Sequence, residues 1–490
     1  MFRIVSTWPR SGAVRQQGVS GLRAWLLTLI EWPLIALMAV LALGILGVSR
    51  LPVQYPINIG YEEGWRSDQP FLSGWNTPEP YNAPPDQLSY RWTAEDSQVR
   101  LPGFGAQPLI VRIDQLAAAA NPQAANGAWY LTGAGMAVSH SLTNARTLRV
   151  LIPPAASTNG ILHFVAPTFT PPNDARILGV NIADFRVSSI QGSLSLPSRT
   201  LFWPLLLLPL AWLTARRWSV NVVSAGVAGA GLVALLLAAL WSDRLRFALA
   251  GGPFLVGALW GVVVGSAALW VMERYAPRLG VQPAPWFVRG IALIVFWLML
   301  LRYGGKLYPG SMVGDLGFHV NRQNEVIGGL IYLVSKHRGI NFPYPSAVYI
   351  LLAPLRLLPL APETLIEWSD AFFGALGVLP VAYLALRGSR DERAALLGAT
   401  VYALLAPAMM ALWWSFLAHI FTQESVALLI ALLVGGWHVM RTRRGIALTV
   451  VCLSLIFFGH FGLFINISVL LGLLLPCLWW RYRHTPQVRN

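Results

Sequence analysis

Residues 24–48 read AWLLTLIEWPLIALMAVLALGILGV, a run whose only charged residue is Glu31. About 20 mostly apolar residues cross a bilayer as a helix, and this run is longer. Arg3, Arg10, Arg15 and Arg23 precede it. A signal-peptide core is shorter and ends at a small-residue cleavage site, which is missing here. The segment therefore reads as a retained signal anchor. Positive residues stay on the cytoplasmic side, so the N-terminus is expected inside and the next segment outside.

That next segment, residues 51–199, differs in kind. It is rich in Pro, Gly, Asn, Ser and Thr, and it holds nine arginines against ten acids. Alternating runs occur at Leu109–Ile113, Leu148–Ile152, Ile161–Val165 and Leu178–Val187. Period-two patterning between turn-rich clusters predicts an extracytoplasmic antiparallel β-sandwich. Trp65, Trp75, Trp92 and Trp129, with Tyr61, Tyr90 and Tyr130, fit sugar platforms or a sandwich core. The segment loosely resembles jelly-roll carbohydrate-binding modules.

From Leu201 onward apolar runs return. Expected spans are Leu201–Thr214, Val220–Trp241, Phe247–Val271, Trp286–Arg302, Leu365–Leu386, Ala394–Trp414 and Ser425–Met440. The block Ile446–Trp480 is expected to cross twice, with a break near Gly459-His460. Arg387, Arg390, Arg441–Arg444 and Arg481–Arg483 mark cytoplasmic flanks. The fold class is thus a mostly α, polytopic membrane protein of about ten transmembrane helices with a β-sandwich outside. Its divisions are a cytoplasmic N-terminus and anchor (1–50), the sandwich (51–199), a three-helix segment (200–285) and a membrane core (286–490). Both termini are expected in the cytoplasm of a cell whose plasma or inner membrane holds the chain. Ser346–Leu360, with Pro354, Arg356 and Pro359, breaks parity as a crossing and is expected at the outer surface.

Composition agrees. The 490 residues are 55% hydrophobic and only 12% charged, about half the charge of a soluble domain. The formal charge of +15 is dispersed between apolar runs, which excludes a nucleic-acid surface. Cys452 and Cys477 make neither a disulfide framework nor a CxxC site. HExxH, GxxxxGK[ST] and GxSxG patterns are missing, so zinc proteolysis, P-loop chemistry and elbow-serine hydrolysis lack support. No cofactor is called for, and a divalent metal is left open.

Charges concentrate in one outer loop, residues 303–345, which carries Lys306, Asp315, His319, Arg322, Glu325, Lys336, His337 and Arg338. The chain's two lysines are both there, against thirty-four arginines overall. Asp315, His319 and Arg322 fall at i, i+4 and i+7, one strip of a helix. Leu316, Val320, Ile327, Leu330, Ile331 and Val334 would form its apolar face on the membrane. An acid takes a proton from a nucleophile and cations hold a phosphate. Equally, such a helix fits an interfacial element with solvated charges.

The stretch Gly314-Asp315-Leu316-Gly317-Phe318-His319, followed by Phe342-Pro343-Tyr344-Pro345-Ser346-Ala347-Val348-Tyr349, resembles the first outer loop of GT-C glycosyltransferases. Relatives of protein O-mannosyltransferases and lipid A aminoarabinose transferase place an acid, a surface helix and a Pro-Pro-Leu-Tyr-Tyr-like segment in that order. His419–Glu424 falls where that family has a second acid at an outer helix start. The resemblance covers Trp286 to about Trp480. It implies inverting transfer of a hexosyl or pentosyl group from a polyprenyl-phosphate donor to an extracytoplasmic glycan, lipid or protein. It makes Asp315 the general base, Glu424 a second acid and His319 a helper. Lys306, Arg322, Lys336 and Arg338 are candidates for the donor phosphate on charge and side alone. The family's paired acidic motif is a single aspartate here, and Glu424 stands where Asp is common.

Other polar residues have plain readings. Glu424 also fits a helix-start charge with Thr422 and Ser425 as capping groups. His438 and His460 fit hydrogen bonds to neighbouring helices, although His460 with Asn466 also fits an intramembrane functional pair. Glu367 and Asp370 fit either a cavity lining or pairing with Arg356, with pairing ranked first. The alternative to an enzyme is a non-catalytic envelope binding or assembly protein with a degenerate GT-C core, with or without a partner subunit. A transporter is disfavoured, because no discontinuous helix pair repeats in two halves.

Overall fold

The computed structural model describes residues 28–62, 67–81, 88–116, 127–133, 135–142, 145–157, 160–190, 197–304, 314–337, 339–406, 409–410, 414–435 and 442–482. Two compact units divide them: residues 1–60 with 71–251, and 61–70 with 252–490.

The first unit joins a sheet domain to membrane helices. Helix α1, Trp32–Ser49, is the described part of the anchor. Ten strands follow: β1 Gln54–Ile57, β2 Leu72–Trp75, β3 Glu79–Tyr81, β4 Leu88–Arg100, β5 Leu109–Gln115, β6 Ala128–Gly133, β7 Met136–Ser141, β8 Arg146–Ile152, β9 Ile161–Val165 and β10 Asn181–Ser189. All pairings among them are antiparallel, in the order β7-β6-β9-β4-β10-β5-β8, with β1 on β10 and β2 and β3 on β4. The thirteen-residue β4 pairs with β9 near one end and with β10 near the other. Residues from both halves of the order meet in one core, including Val111, Ile113, Phe185 and Val187 with Trp129, Leu131, Leu162 and Phe164. Side chains alternate across a strand, and β5 buries Leu109, Val111 and Ile113 accordingly.

Helices α2 (Pro204–Arg217), α3 (Val222–Ser242) and the first turns of α4 (Arg244–Tyr275) complete this unit. Arg216 at the end of α2 pairs with Glu31 just before α1 at 3.0 Å, and Trp212 Nε1 donates to Glu31 at 3.0 Å. The two helices are therefore antiparallel. Glycines let α1 and α3 approach, as Gly44 receives Leu237 and Gly229 receives Leu37, the small-residue packing usual between membrane helices. The α3–α4 turn seats in the sheet domain. Leu245 belongs to its core, Tyr55 donates to Asp243 at 3.2 Å, and Arg246 lies 5.1 Å over the Phe71 ring. Arg244 donates to the carbonyls of Val48 and Leu51, at 2.8 and 3.0 Å, which satisfies orphan acceptors at the end of α1.

The second unit contains α5 (Pro285–Gly304), α6 (Leu316–Ile327), the hairpin β11 (Leu333–His337) and β12 (Ile340–Tyr344), and α7 (Ala347–Leu352). Helices α8 (Pro362–Leu376), α9 (Val378–Ser389), α10 (Glu392–Leu404), α11 (Leu417–Gly435), α12 (Arg443–Phe457) and α13 (Phe461–Tyr482) follow. Pro380 has no N–H for the Leu376 carbonyl, and α8 ends there. Ala371, Ala375, Ala382, Ala395, Ala399 and Ala403 are nearly or fully buried, so the helices carrying them pack closely.

Among the described residues seven helices are long and apolar enough to cross a membrane: Trp32–Ser49, Val222–Ser242, Arg244–Tyr275, Pro285–Tyr303, Pro362–Ser389, Leu417–Gly435 and Phe461–Arg481. The other three expected spans correspond to helices of 14, 13 and 15 residues, α2, α10 and α12. The break at Gly459-His460 lies between α12 and α13. The segment at 346–360 is a short helix followed by a 3-10 turn, Ala353–Leu357, too short to cross. One expectation fails locally. The helix predicted to run on through Val334 stops at Ile327, because Gly328-Gly329 follows, with Gly329 at φ +94°.

Candidate functional site

Asp315 occupies the N-cap position of α6, yet its side chain caps nothing. The backbone holds it in place. Its N–H donates to the Trp414 carbonyl at 2.9 Å, and its own carbonyl accepts from His319 N–H at 2.9 Å. Gly314, at φ +38°, is packed so closely on the Trp414 backbone that a Cβ would overlap it. Only glycine tolerates both conditions. The residue is exposed, but nearby protein displaces enough water to push its carboxyl above the usual carboxylate range. Burial thus outweighs the helix N-terminus, which favours the charged form.

The remaining residues of the expected strip do not share its exposure. His319 is buried, with Nδ1 2.6 Å from the Tyr349 hydroxyl, so the strip turns inward at its second member. The buried positions of α6 are Leu316, His319, Val320, Gln323 and Val326, a 3–4 spacing that carries the imidazole in with its apolar neighbours. Gln323 Nε2 donates to the Tyr349 carbonyl at 3.3 Å. Tyr349 is also hydrogen-bonded to Tyr344, which lies within electrostatic reach of Asp315. Arg322 pairs with Glu325 at 2.7 Å and stands 4.9 Å over Phe318 and 5.8 Å from the Tyr344 ring centre. Lys336 is exposed on the hairpin. Lys306 and Arg338 lie outside the described residues.

Glu424 is elsewhere than expected. α11 begins at Leu417, so Glu424 lies about 10 Å along its axis rather than at its start. Thr422 and Ser425 bond back to the carbonyls of Ala418 and Phe421, at 2.7 and 2.9 Å, and cap nothing. The Tyr402 hydroxyl donates to Glu424 Oε1 at 2.7 Å, and Gln423 Nε2 donates to that hydroxyl at 3.1 Å. Arg302, 2% exposed near the end of α5, interacts electrostatically with Glu424, Tyr402 and buried Asp370. Two glycines make room. A Cβ at Gly374 would overlap the Arg302 guanidinium, and one at Gly377 the Glu424 carboxyl. Four helices, α5, α8, α10 and α11, thus bring an arginine, two acids and a tyrosine together among membrane helices. Ionised groups there demand opposite charges nearby.

Beside this cluster lies a cavity of about 530 Å³ bounded by α4, α8, α9 and α11, with Met272, Phe373, Leu379, Phe421 and Leu428 in its walls. Glu424 is among its lining residues and Asp315 is not. Its surface is overwhelmingly hydrocarbon, so it accepts an apolar chain rather than a sugar or phosphate.

Several expected roles dissolve in the geometry. Asp370 is buried and interacts electrostatically with Arg302. His460 lies in the α12–α13 turn, where its Nδ1 accepts from Leu463 N–H at 3.3 Å and its ring meets His419 edge-on at 5.3 Å. His438 and Trp65 lie outside the described residues. Trp129 is fully buried, stacked on Phe164 at 5.4 Å and donating to Gln115. Trp92 is buried, and Trp75 packs on Phe164 at 5.3 Å. Trp92 and Trp129 are core residues of the sheet domain and Trp75 packs beside one core, while Tyr61 and Tyr130 are exposed. Arg302 and Tyr402 were not singled out from sequence. An arginine closing an apolar run was the available signal for the first.

No protein-family model matches the chain, and neither a curated protein nor a solved structure shows significant similarity to it.

Proposed function

We propose that the chain is a GT-C-like membrane glycosyltransferase that moves a sugar from a polyprenyl-phosphate donor to an extracytoplasmic acceptor. The observation that carries this reading is Asp315, an open carboxylate left unused by its own helix and fixed through its backbone to the segment that leads into α11. Its raised pKa suits a group that takes a proton from an acceptor hydroxyl. The Arg322–Glu325 pair is partly exposed, and such pairs contribute little stability, so a donor phosphate can compete for Arg322. In this topology α2, α10 and α12 also cross, giving about ten spans, cytoplasmic termini and a sheet domain outside.

The test is transfer of labelled sugar from polyprenyl-phosphate to membrane-extract acceptors by the purified chain. Asp315→Asn is expected to abolish transfer while leaving the fold intact. Equal transfer by variant and wild type would remove the proposed base. A second reading, a non-catalytic envelope protein with a degenerate core, draws support from Glu424. That residue is tied to Tyr402 beside an apolar cavity that Asp315 does not line. On that reading, envelope binding survives Asp315→Asn and no donor is consumed.

A further inference from the structure

Between α5 and α8, the β11–β12 hairpin carries exposed apolar side chains among the described residues. The β11–β12 hairpin is held at its base by Leu333 and Tyr344, which pack into the core formed by α6, α7 and the start of α11. Farther out it is exposed among the described residues. Ile340 is 70% exposed and Phe342, opposite Ser335, is 39% exposed. These two share one face. Lys336 and Asn341 are register partners on the other face, beside Val334 and Pro343. An isolated two-stranded hairpin is marginal in water, and this one presents its apolar side chains outward. Ile331 and Tyr332, at 64% and 68% exposure, lead into it.

A second exposed element touches the same helix. The 3-10 turn Ala353–Leu357 packs on α6, as β11 does. Leu357 is 90% exposed, and Leu358 and Leu360 are 50% and 41% exposed. Two residues after Leu360 begins Pro362–Ser389, a segment long and apolar enough to cross a membrane, so a crossing there would put this turn at the bilayer boundary.

We propose that the hairpin and the 357–360 turn lie in the interfacial layer of the membrane. Ile340, Phe342 and Leu357 reach the acyl boundary, and Lys336 meets lipid phosphates. The occupant follows from the chain's continuity with a helix long and apolar enough to cross a membrane and from exposed apolar side chains on both hairpin faces, with the lysine Lys336 exposed among them. Amphipathic elements bind membranes through buried apolar area plus attraction to anionic headgroups. Tyr332 suits the headgroup level, and a lysine stem spans the distance from acyl to phosphate. The proposal stands whether or not the chain transfers sugar.

The test places an environment-sensitive fluorophore at Ile340→Cys and, separately, at Leu357→Cys. The full chain is used, with buried Cys452 changed to Ala and exposed Cys477 to Ser. Reconstitution is in vesicles of phosphatidylcholine and phosphatidylglycerol. A nitroxide-bearing lipid is expected to quench both labels severalfold more than aqueous iodide. A label at exposed Arg149→Cys on β8 should show the reverse order. Adding Lys336→Glu should reduce lipid quenching at position 340 in anionic vesicles more than in neutral ones. Iodide quenching at 340 and 357 equal to that at 149 would overturn the proposal. Protection from both quenchers would also overturn it, placing a protein or a second copy over the hairpin.

Discussion

The Tyr402 hydroxyl, on α10, donates to Glu424 Oε1, on α11, at 2.7 Å. The same hydroxyl accepts from Gln423, so one tyrosine oxygen ties two successive side chains of α11 to α10. Tyr402→Phe strands both partners. Leaving buried polar groups unmade costs about 1–3 kcal/mol, and thermal unfolding of the purified chain should show a loss of that order. An unchanged midpoint would mean that Glu424 draws its hydrogen bond from another donor.

Two helical glycines should respond to alanine with opposite signs. At Gly398 a Cβ meets Ala385 at 3.6 Å, ordinary contact, and Gly398→Ala is expected to stabilise by up to about 1 kcal/mol through helix propensity. At Gly374 the Cβ overlaps the Arg302 guanidinium. Moving a buried arginine from its cradle exceeds the propensity gain, since overpacking alone costs about 1–3 kcal/mol. Gly374→Ala should therefore lower the unfolding midpoint, and a rise would show that Arg302 has free space behind it.

The raised carboxyl pKa of Asp315 fixes the sign of a pH effect. The folded chain holds this proton more tightly than the unfolded chain. As pH rises from the ordinary carboxylate pKa through the folded value, the site loses stability. Asp315→Asn removes that loss. The variant should be more stable than wild type at neutral pH, with the difference shrinking as pH falls below the ordinary carboxylate range. Midpoints measured against pH for both proteins provide the check, and a variant less stable at neutral pH would contradict it.

Leu245 lies in the first turn of α4 and is fully buried in the core of the sheet domain. Leu245→Ala should cost about 2–5 kcal/mol. The loss should appear in the sheet domain, whose buried Trp129 gives a local fluorescence signal. A loss confined to the helices would place Leu245 outside that core.

What was legible in the sequence follows from periodicity. Leu109–Ile113, Leu148–Ile152 and Ile161–Val165 alternate, and all three are strands of the sheet. Strand β4 escaped notice because Glu95 and Asp96 interrupt its apolar positions and its pairing changes along its length. Ile327, Leu330, Ile331 and Val334 are spaced as a helix face, which hides the hairpin. The Gly328-Gly329 pair is the stop signal. Asp315 could be found because polar residues are scarce and cluster around it. The Arg302–Glu424–Tyr402 grouping could not, since its members lie on helices that meet only after folding.

Leu245 also bears on the order in which the chain matures. The last strand of the sheet domain ends at Ser189, and α2 and α3 intervene before Leu245 is synthesised. Domains ordinarily fold as units as they emerge from the ribosome. This one lacks part of its core until two later helices have been made. Until α3 and the start of α4 have been made, that core lacks one of its fully buried side chains.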